Sequence, residues 1–359
     1  MGTSDTQPVR KAESPERAAL YARLDKADSA PLWAVMSQLV TPEPRPRCVP
    51  HKWDYAAMRK LLLEAGDLIT AKEAERRVLV LENPGIRGIS QITQSLYAGL
   101  QLILPGEIAP SHRHAASALR LIIEGHGGYT AVSGERIPMA PGDFILTPSW
   151  TFHDHGNLGD DPVVWLDGLD VPIVNLFEAS FAEAYPSGET QRVERVAGDA
   201  LARYGTNMLP IEYVPEGAAS PVFHYPYARV KEALGQIASA GSPDECHGYK
   251  LQYANPATGG YPMPTMGAFI QQMPSGFNGR PYRSTDSTVY CVREGRGVSS
   301  INGELIEWGV GDVFVAPSWC VISHKASEHA VLFSFSDRPA QKALGLWREQ
   351  RVSDYDRPS

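Results

Sequence analysis

Short runs of alternating apolar and polar residues, broken by turn dipeptides, occupy most of the chain, and helical periodicity is confined to a few places. Residues 15–40 read as helical, with Leu20, Leu24, Leu32, Val35, Met36 and Leu39 on an irregular apolar face. The stiff Thr41-Pro-Glu-Pro-Arg-Pro46 stretch ends it. Residues 54–71 read as a second helix, with Asp54 as its N-cap and Leu61, Leu62, Leu63 and Leu68 apolar. From Arg77 the pattern turns to strands, at 78–81, 96–104, 119–124, 129–132, 143–147 and 163–166. Pro84-Gly85, Pro105-Gly106, Ser133-Gly134 and Pro141-Gly142 separate them. Residues 170–240 are mixed, with helices expected around 175–185 and 226–239. A second β-rich run extends from near Ala268 to near Phe335, and 339–351 reads as a closing helix.

The two β-rich runs share words. Glu124-Gly125-His-Gly127 and Gly142-Asp143-Phe-Ile-Leu-Thr-Pro148-Ser149-Trp150 in the first correspond to Glu294-Gly295-Arg-Gly297 and Gly311-Asp312-Val-Phe-Val-Ala-Pro317-Ser318-Trp319 in the second. Gly125 to Gly142 is 17 residues and Gly295 to Gly311 is 16, so order and spacing are both kept. Repeated multi-residue words at one spacing indicate an internal duplication. Many short strands with turns at this interval predict a sandwich or small barrel, here present twice.

Composition narrows the class. The chain has 359 residues, more than one average domain. Its 33 basic and 41 acidic residues give a formal charge of -8, which argues against nucleic-acid binding because that needs a basic face. No apolar run reaches the roughly 20 residues of a membrane span, and no secretory signal is evident. Met1-Gly2 with Thr6 fits an acylation pattern but stands alone and is set aside. Residues 1–14 are polar and expected to be mobile. Cys48, Cys246, Cys291 and Cys320 form no metal-knuckle spacing and read as reduced thiols of a cytoplasmic protein.

The chemistry concentrates in the first run. Gly106 is followed after five residues by His112-Arg113-His114, and Trp150 after two residues by His153, with Asn157 four further on. On a strand, residues i and i+2 face one side, so His112 and His114 point together and leave room for a third imidazole from a neighbouring strand. Such a set suits Fe(II), Zn, Cu or Ni.

These words resemble the paired motifs of the cupin superfamily, whose fold is a small jelly-roll β-barrel with a metal inside. A cupin often adds a Glu a few residues after the His pair; here that slot is Ala118, between Ser117 and Leu119. Three neutral imidazoles leave a divalent ion its full charge and open positions, which favours a chelating anion such as a carboxylate beside a phenolate. Glu75-Arg76-Arg77-Val78, Leu96-Tyr97-Ala98-Gly99-Leu100-Gln101, Ser117-Ala118-Leu119-Arg120, Trp150-Thr-Phe-His153-Asp-His155-Gly-Asn157 and Val164-Trp165-Leu166-Asp167 together resemble the gentisate 1,2-dioxygenases, which also include salicylate-type and 1-hydroxy-2-naphthoate dioxygenases. The likeness spans roughly residues 15–350.

What the resemblance implies is specific. The fold would be mainly β, a bicupin of two jelly-roll barrels with a helical N-terminal region and linkers. Its parts would be an N-terminal helical region (1–75), a metal-binding cupin (76–170), a linker with helices (171–265), a second cupin (266–336) and a C-terminal helix and tail (337–359). His112, His114 and His153 would hold Fe(II). Arg76 and Arg120 would contact the acid of the substrate, with Arg77 as the substitute if the register is off by one; a guanidinium matches two carboxylate oxygens. Gln101 would be a polar contact, and Tyr97, Gly99 and Val78 would line the ring pocket. His155 and Asp167 would form a proton-handling pair, because an imidazole moves protons near neutrality and a carboxylate can fix its tautomer.

The reaction implied is opening of an aromatic ortho-hydroxy carboxylic acid between the carboxyl-bearing and hydroxyl-bearing carbons, with both atoms of dioxygen incorporated. Gentisate leads; salicylate, 5-substituted salicylates such as nitrosalicylate, and 1-hydroxy-2-naphthoate are alternatives. The family also implies a homotetramer. In the second run, Tyr282, Ser284 and Ile322 fall in the three ligand slots, and His324 survives at the slot of His155. No metal is expected there. The competing readings are another cupin enzyme, which Ala118 disfavours, a regulator, for which no DNA-binding helix pair is evident, and a non-catalytic small-molecule-binding bicupin.

Overall fold

The computed structural model describes residues 14–352. The segment expected to be mobile, except Ser14, lies outside them, as do the Met1-Gly2 pattern and the end of the tail. Contacts divide the chain into two units at Arg45 and Pro46. The first contains two helices, Pro15–Lys26 and Leu32–Leu39, where one helical stretch was expected. The break is local: Asp28 takes a left-handed conformation and Pro31 cannot extend a helix backwards.

The second unit holds both barrels, each made of two antiparallel sheets. In the first barrel, one sheet runs in the order His224–Tyr225, Phe144–Thr147, Ala118–Glu124, Val163–Leu169, Tyr97–Ile103, Val78–Val80. Ala182–Ala184, Ile108–His114, His153–Asn157, Gly128–Val132 and Glu135–Pro138 face it. The second barrel repeats this, with His51–Trp53, Val313–Ala316, Thr288–Glu294, Ala330–Ser336, Gly267–Met273 and Tyr249–Gln252 in one sheet. Alternation along each strand sends one set of side chains inside its own barrel and the other into a shared core. That core joins Leu119, Leu121 and Phe144 of the first half to Val289, Val315, Phe333 and Phe335 of the second.

The halves are laced together reciprocally. The helix Tyr55–Leu68, which precedes the first barrel, docks on the second: Tyr55 N–H donates to Asp312 Oδ1 at 2.9 Å. The helix Tyr227–Ala240, which precedes the second barrel, docks on the first: Tyr227 N–H donates to Asp143 Oδ1 at 2.8 Å. Strands follow the same exchange, His51–Trp53 pairing with Val313–Ala316 and His224–Tyr225 with Phe144–Thr147. The hydroxyls of Thr265 and Ser95 likewise cross over, to Asp170 and Asp337 respectively. The repeated Gly-Asp word is thus a docking point. Gly142 has φ +95°, and a Cβ there would lie 2.5 Å from Tyr227 Cγ. Gly142→Ala is therefore expected to cost about 3 kcal/mol, from left-handed strain plus overpacking, and to lower Tm by several degrees in a thermal melt.

Two expected elements differ. The region around 175–185 contains the short helix Val171–Leu176 and then the edge strand Ala182–Ala184, which pairs with His112–His114. The expected closing helix is six residues, Arg338–Ala343; Gly345 at φ +71° stops it, and Glu349–Arg351 joins the edge of the second barrel beside Tyr282–Ser284. In both places an open sheet edge captures a strand that local propensity alone does not specify. The expected helices at 54–71 and 226–239 are present as Tyr55–Leu68, capped by Asp54 Oδ1, and Tyr227–Ala240.

Candidate active site

Three imidazoles converge inside the first barrel. His112 and His114 lie on one strand and His153 opposite His112 on the next. Their ring centroids are 4.5–5.3 Å apart, and one nitrogen from each lies within 4.8 Å of the others. His114 Nδ1 is 2.7 Å from Ala116 O and His153 Nδ1 is 3.0 Å from Thr151 O. A carbonyl only accepts, so each Nδ1 carries the proton and each Nε2 keeps a free lone pair. Burial lowers the affinity of all three rings for a second proton, with His112 down to about 3 and Arg76 and Arg120 adding positive charge nearby. Three neutral imidazoles, each bringing one nitrogen within 4.8 Å of the others, fit a borderline divalent ion such as Fe(II). The Trp150 of the repeated Pro-Ser-Trp word, at φ +58°, donates its N–H to His114 O at 2.8 Å and so steadies the end of the ligand strand.

Two guanidinium groups share the cavity with them, a space of about 330 Å³. Arg120 is 3% exposed, donates to Thr147 Oγ1 at 2.7 Å and stands 3.6 Å from Asp167 Oδ1. Its Nε, the atom nearest Asp167, is buried without a hydrogen bond. Arg76 Nη2 lies 2.6 Å from both Pro110 O and His112 Nδ1. The register question between neighbours is settled, since Arg77 turns away to Glu107 and Ile69 O while Arg76 lines the cavity.

Val78, Tyr97, Gln101, His155 and Asp167 also line this space. Gly99 does not line it but sits directly behind: a Cβ there would overlap Val78 Cγ1 and come within 3.0 Å of the Tyr97 hydroxyl. Gly99→Ala should push both residues into the cavity and lower kcat/KM by about tenfold or more, with KM carrying most of the change in steady-state oxygen uptake.

His155 and Asp167 share the cavity but not a hydrogen bond, which corrects the expected pair. His155 Nδ1 is 2.9 Å from Thr130 Oγ1, and its ring packs 5.3 Å from that of Trp165. Asp167 instead accepts from Trp165 Nε1 at 2.9 Å and faces Arg120. Thr130, not the carboxylate, therefore orients the imidazole. Burial keeps His155 well below its usual range, hence neutral at pH 7, and raises the Asp167 carboxyl to about 6 against the pull of Arg120.

Sequence reasoning missed part of the wall. Ile89, Ser90 and Gln91, from a loop with Ser90 at φ +55°, and Val171, Pro172 and Asn175 complete the cavity. The Asn83-Pro84 turn and Asp170-Val-Pro172 were the available signals, since both mark chain entering or leaving the barrel rim. In the second barrel Tyr282, Ser284 and Ile322 stand at the counterparts of the three histidines. All four cysteines are buried and free.

The fold and this site define a bicupin with one three-imidazole centre. Residues 99–170 match the cupin domain family. A gentisate 1,2-dioxygenase of Aquipseudomonas alcaligenes is 53% identical over 342 residues, covering 95% of this chain and 98% of that one. A 5-aminosalicylate 1,2-dioxygenase of Comamonas is 37% identical, covering 92% and 89%. The crystal structure of salicylate 1,2-dioxygenase from Pseudoaminobacter salicylatoxidans with gentisate superposes with a TM-score of 0.90 at 33% identity, covering 97% of each chain. The chain belongs to the gentisate 1,2-dioxygenase family of ring-cleaving dioxygenases.

Proposed function

We propose that this chain cleaves gentisate between its carboxyl-bearing and hydroxyl-bearing carbons, using Fe(II) held by His112, His114 and His153. The observation that carries the reading is the meeting of three neutral imidazoles and two guanidinium groups in one cavity of about 330 Å³. Iron at that site supplies the activation of dioxygen, which a closed-shell aromatic ring does not undergo unaided.

The chain's own residues do the rest. Arg76 and Arg120 draw the substrate's anionic groups into the barrel. The amide of Gln101 hydrogen-bonds a polar substituent, while Val78 and Tyr97 flank the ring. His155, neutral and aligned by Thr130, takes or returns a proton at Nε2. Asp167 holds Arg120 in place and balances its charge. Ile89, Val171 and Pro172 restrict water at the mouth.

No helix among the described residues is long and apolar enough to cross a membrane, in keeping with a cytoplasmic enzyme. The exposed Trp33, Leu176, Phe177, Phe181 and Ile211 supply apolar surface for the homotetramer proposed here. The test is oxygen uptake by the iron-loaded chain with gentisate, salicylate, 5-substituted salicylates and 1-hydroxy-2-naphthoate, with metal content measured in parallel. Fastest turnover with gentisate is expected. A preference for salicylate or naphthoate would reassign the substrate, and no uptake with any of them would leave a binding protein.

A further inference from the structure

The second barrel keeps the interior layout of the first without its ligands. Lys250 pairs across strands with Gln271 as Val78 does with Gln101, and Ser334 faces Phe269 and Tyr290 as Asp167 does Gly99 and Arg120. His324 faces Ser299 as His155 faces Thr130. Gln271, Ser334 and His324 thus occupy positions whose counterparts line the cavity of the first barrel.

All three are fully buried, and both amide atoms of Gln271, the Ser334 hydroxyl and His324 Nε2 have no hydrogen-bond partner among the described residues. Each such atom left dry costs on the order of 1–3 kcal/mol, so native interiors pair them with protein, water or ligand. The state of His324 follows from its neighbours. Trp308 Nε1 donates to Ser299 Oγ at 2.9 Å, and Ser299 Oγ lies 2.8 Å from His324 Nδ1. In the tautomer where the serine donates to Nδ1, the ring's own proton sits on Nε2 as a free donor.

Lys250 adds an ammonium, with the Phe269 ring 5.2 Å from Nζ. The neighbouring carboxylates are engaged elsewhere, Asp286 by Arg338 and Trp347, and Asp244 by Arg351. Lys250 and His247 also line a cavity of about 410 Å³ beside the strand Tyr249–Gln252. The free groups are mostly donors with one net positive charge, which selects an anion. Phe269 stands at the counterpart of Gly99, and Tyr282, Tyr290 and Ile322 stand at those of His112, Arg120 and His153, which leaves an aromatic ring less room than in the first barrel. We propose that the second barrel binds a small aliphatic carboxylate, its oxygens taken by Lys250, the Gln271 amide and His324 Nε2–H.

The test is calorimetric titration of the full chain with pyruvate, in the absence and presence of saturating salicylate. One site per chain is expected, unaffected by salicylate and weakened at least about tenfold in Lys250→Met and in Gln271→Leu. Gln271→Leu keeps the side-chain shape and removes only unpaired atoms, so the fold survives it. No binding at ~10 mM pyruvate would overturn the proposal. So would binding that salicylate displaces, or binding that both variants retain, since either places the ion elsewhere.

Discussion

His112→Ala, supplied with iron, is expected to lose ring cleavage and to retain little iron after desalting. The loss should exceed the roughly 10–100-fold that follows removal of a residue merely supporting a ligand, because two imidazoles cannot hold the ion in place. Oxygen uptake with gentisate and metal content per chain are the two measurements. Tyr282→Ala, at the counterpart position in the second barrel, should leave the iron content unchanged. Turnover retained by His112→Ala with normal iron content would refute the three-histidine assignment.

The second large effect concerns Arg120. Arg120→Leu removes a substrate contact and strands Asp167, which is 5% exposed, with Trp165 Nε1 as its one hydrogen-bond donor. Breaking a buried pair from one side costs about 3–5 kcal/mol, and at least about 2 kcal/mol of substrate affinity goes with it, roughly thirtyfold in kcat/KM. The stability loss carries a pH signature. The Asp167 carboxyl is already raised to about 6 in the fold, so between its unfolded value and that pH the folded state binds the extra proton. Its contribution therefore declines as pH rises through that window. Without Arg120 the carboxyl is pushed higher still, so the variant should suffer more at pH 8 than at pH 5 in urea unfolding. Arg120→Leu with Asp167→Leu should regain most of the stability but not the activity. A double variant as unstable as the single one would show that the pair is not what matters.

The metal-binding side of the site was legible in the sequence because its signals are local. His112 and His114 share a face through the two-residue period of a strand, and His153 sits at a fixed distance from the Pro-Ser-Trp word. The duplication was legible for the same reason. Arg76 and Arg77 could not be told apart, because one step along a strand reverses the side chain, and only pairing with Tyr97–Ile103 sets which is inside. The partner of His155 was also beyond reach. Thr130 and Asp167 both flank it in the barrel, and the choice rests on which strand lies beside His153–Asn157.

By itself, then, the sequence determined a doubled β-barrel, the three imidazoles, the loss of their counterparts in the second half and the absence of a fourth carboxylate at Ala118. The tertiary structure alone decided that the N-terminus of the helix preceding each barrel is tied to the other barrel, and that the edge strands Ala182–Ala184 and Glu349–Arg351 replace expected helix. It alone brought the Arg76 and Arg120 guanidinium groups to the same cavity as the three imidazoles. The physical reason is range. Periodicity and motif spacing act over a few residues, whereas strand neighbours, helix docking and the pairing of buried charges are set by contacts between segments as much as 260 residues apart, such as Lys52 and Asp312.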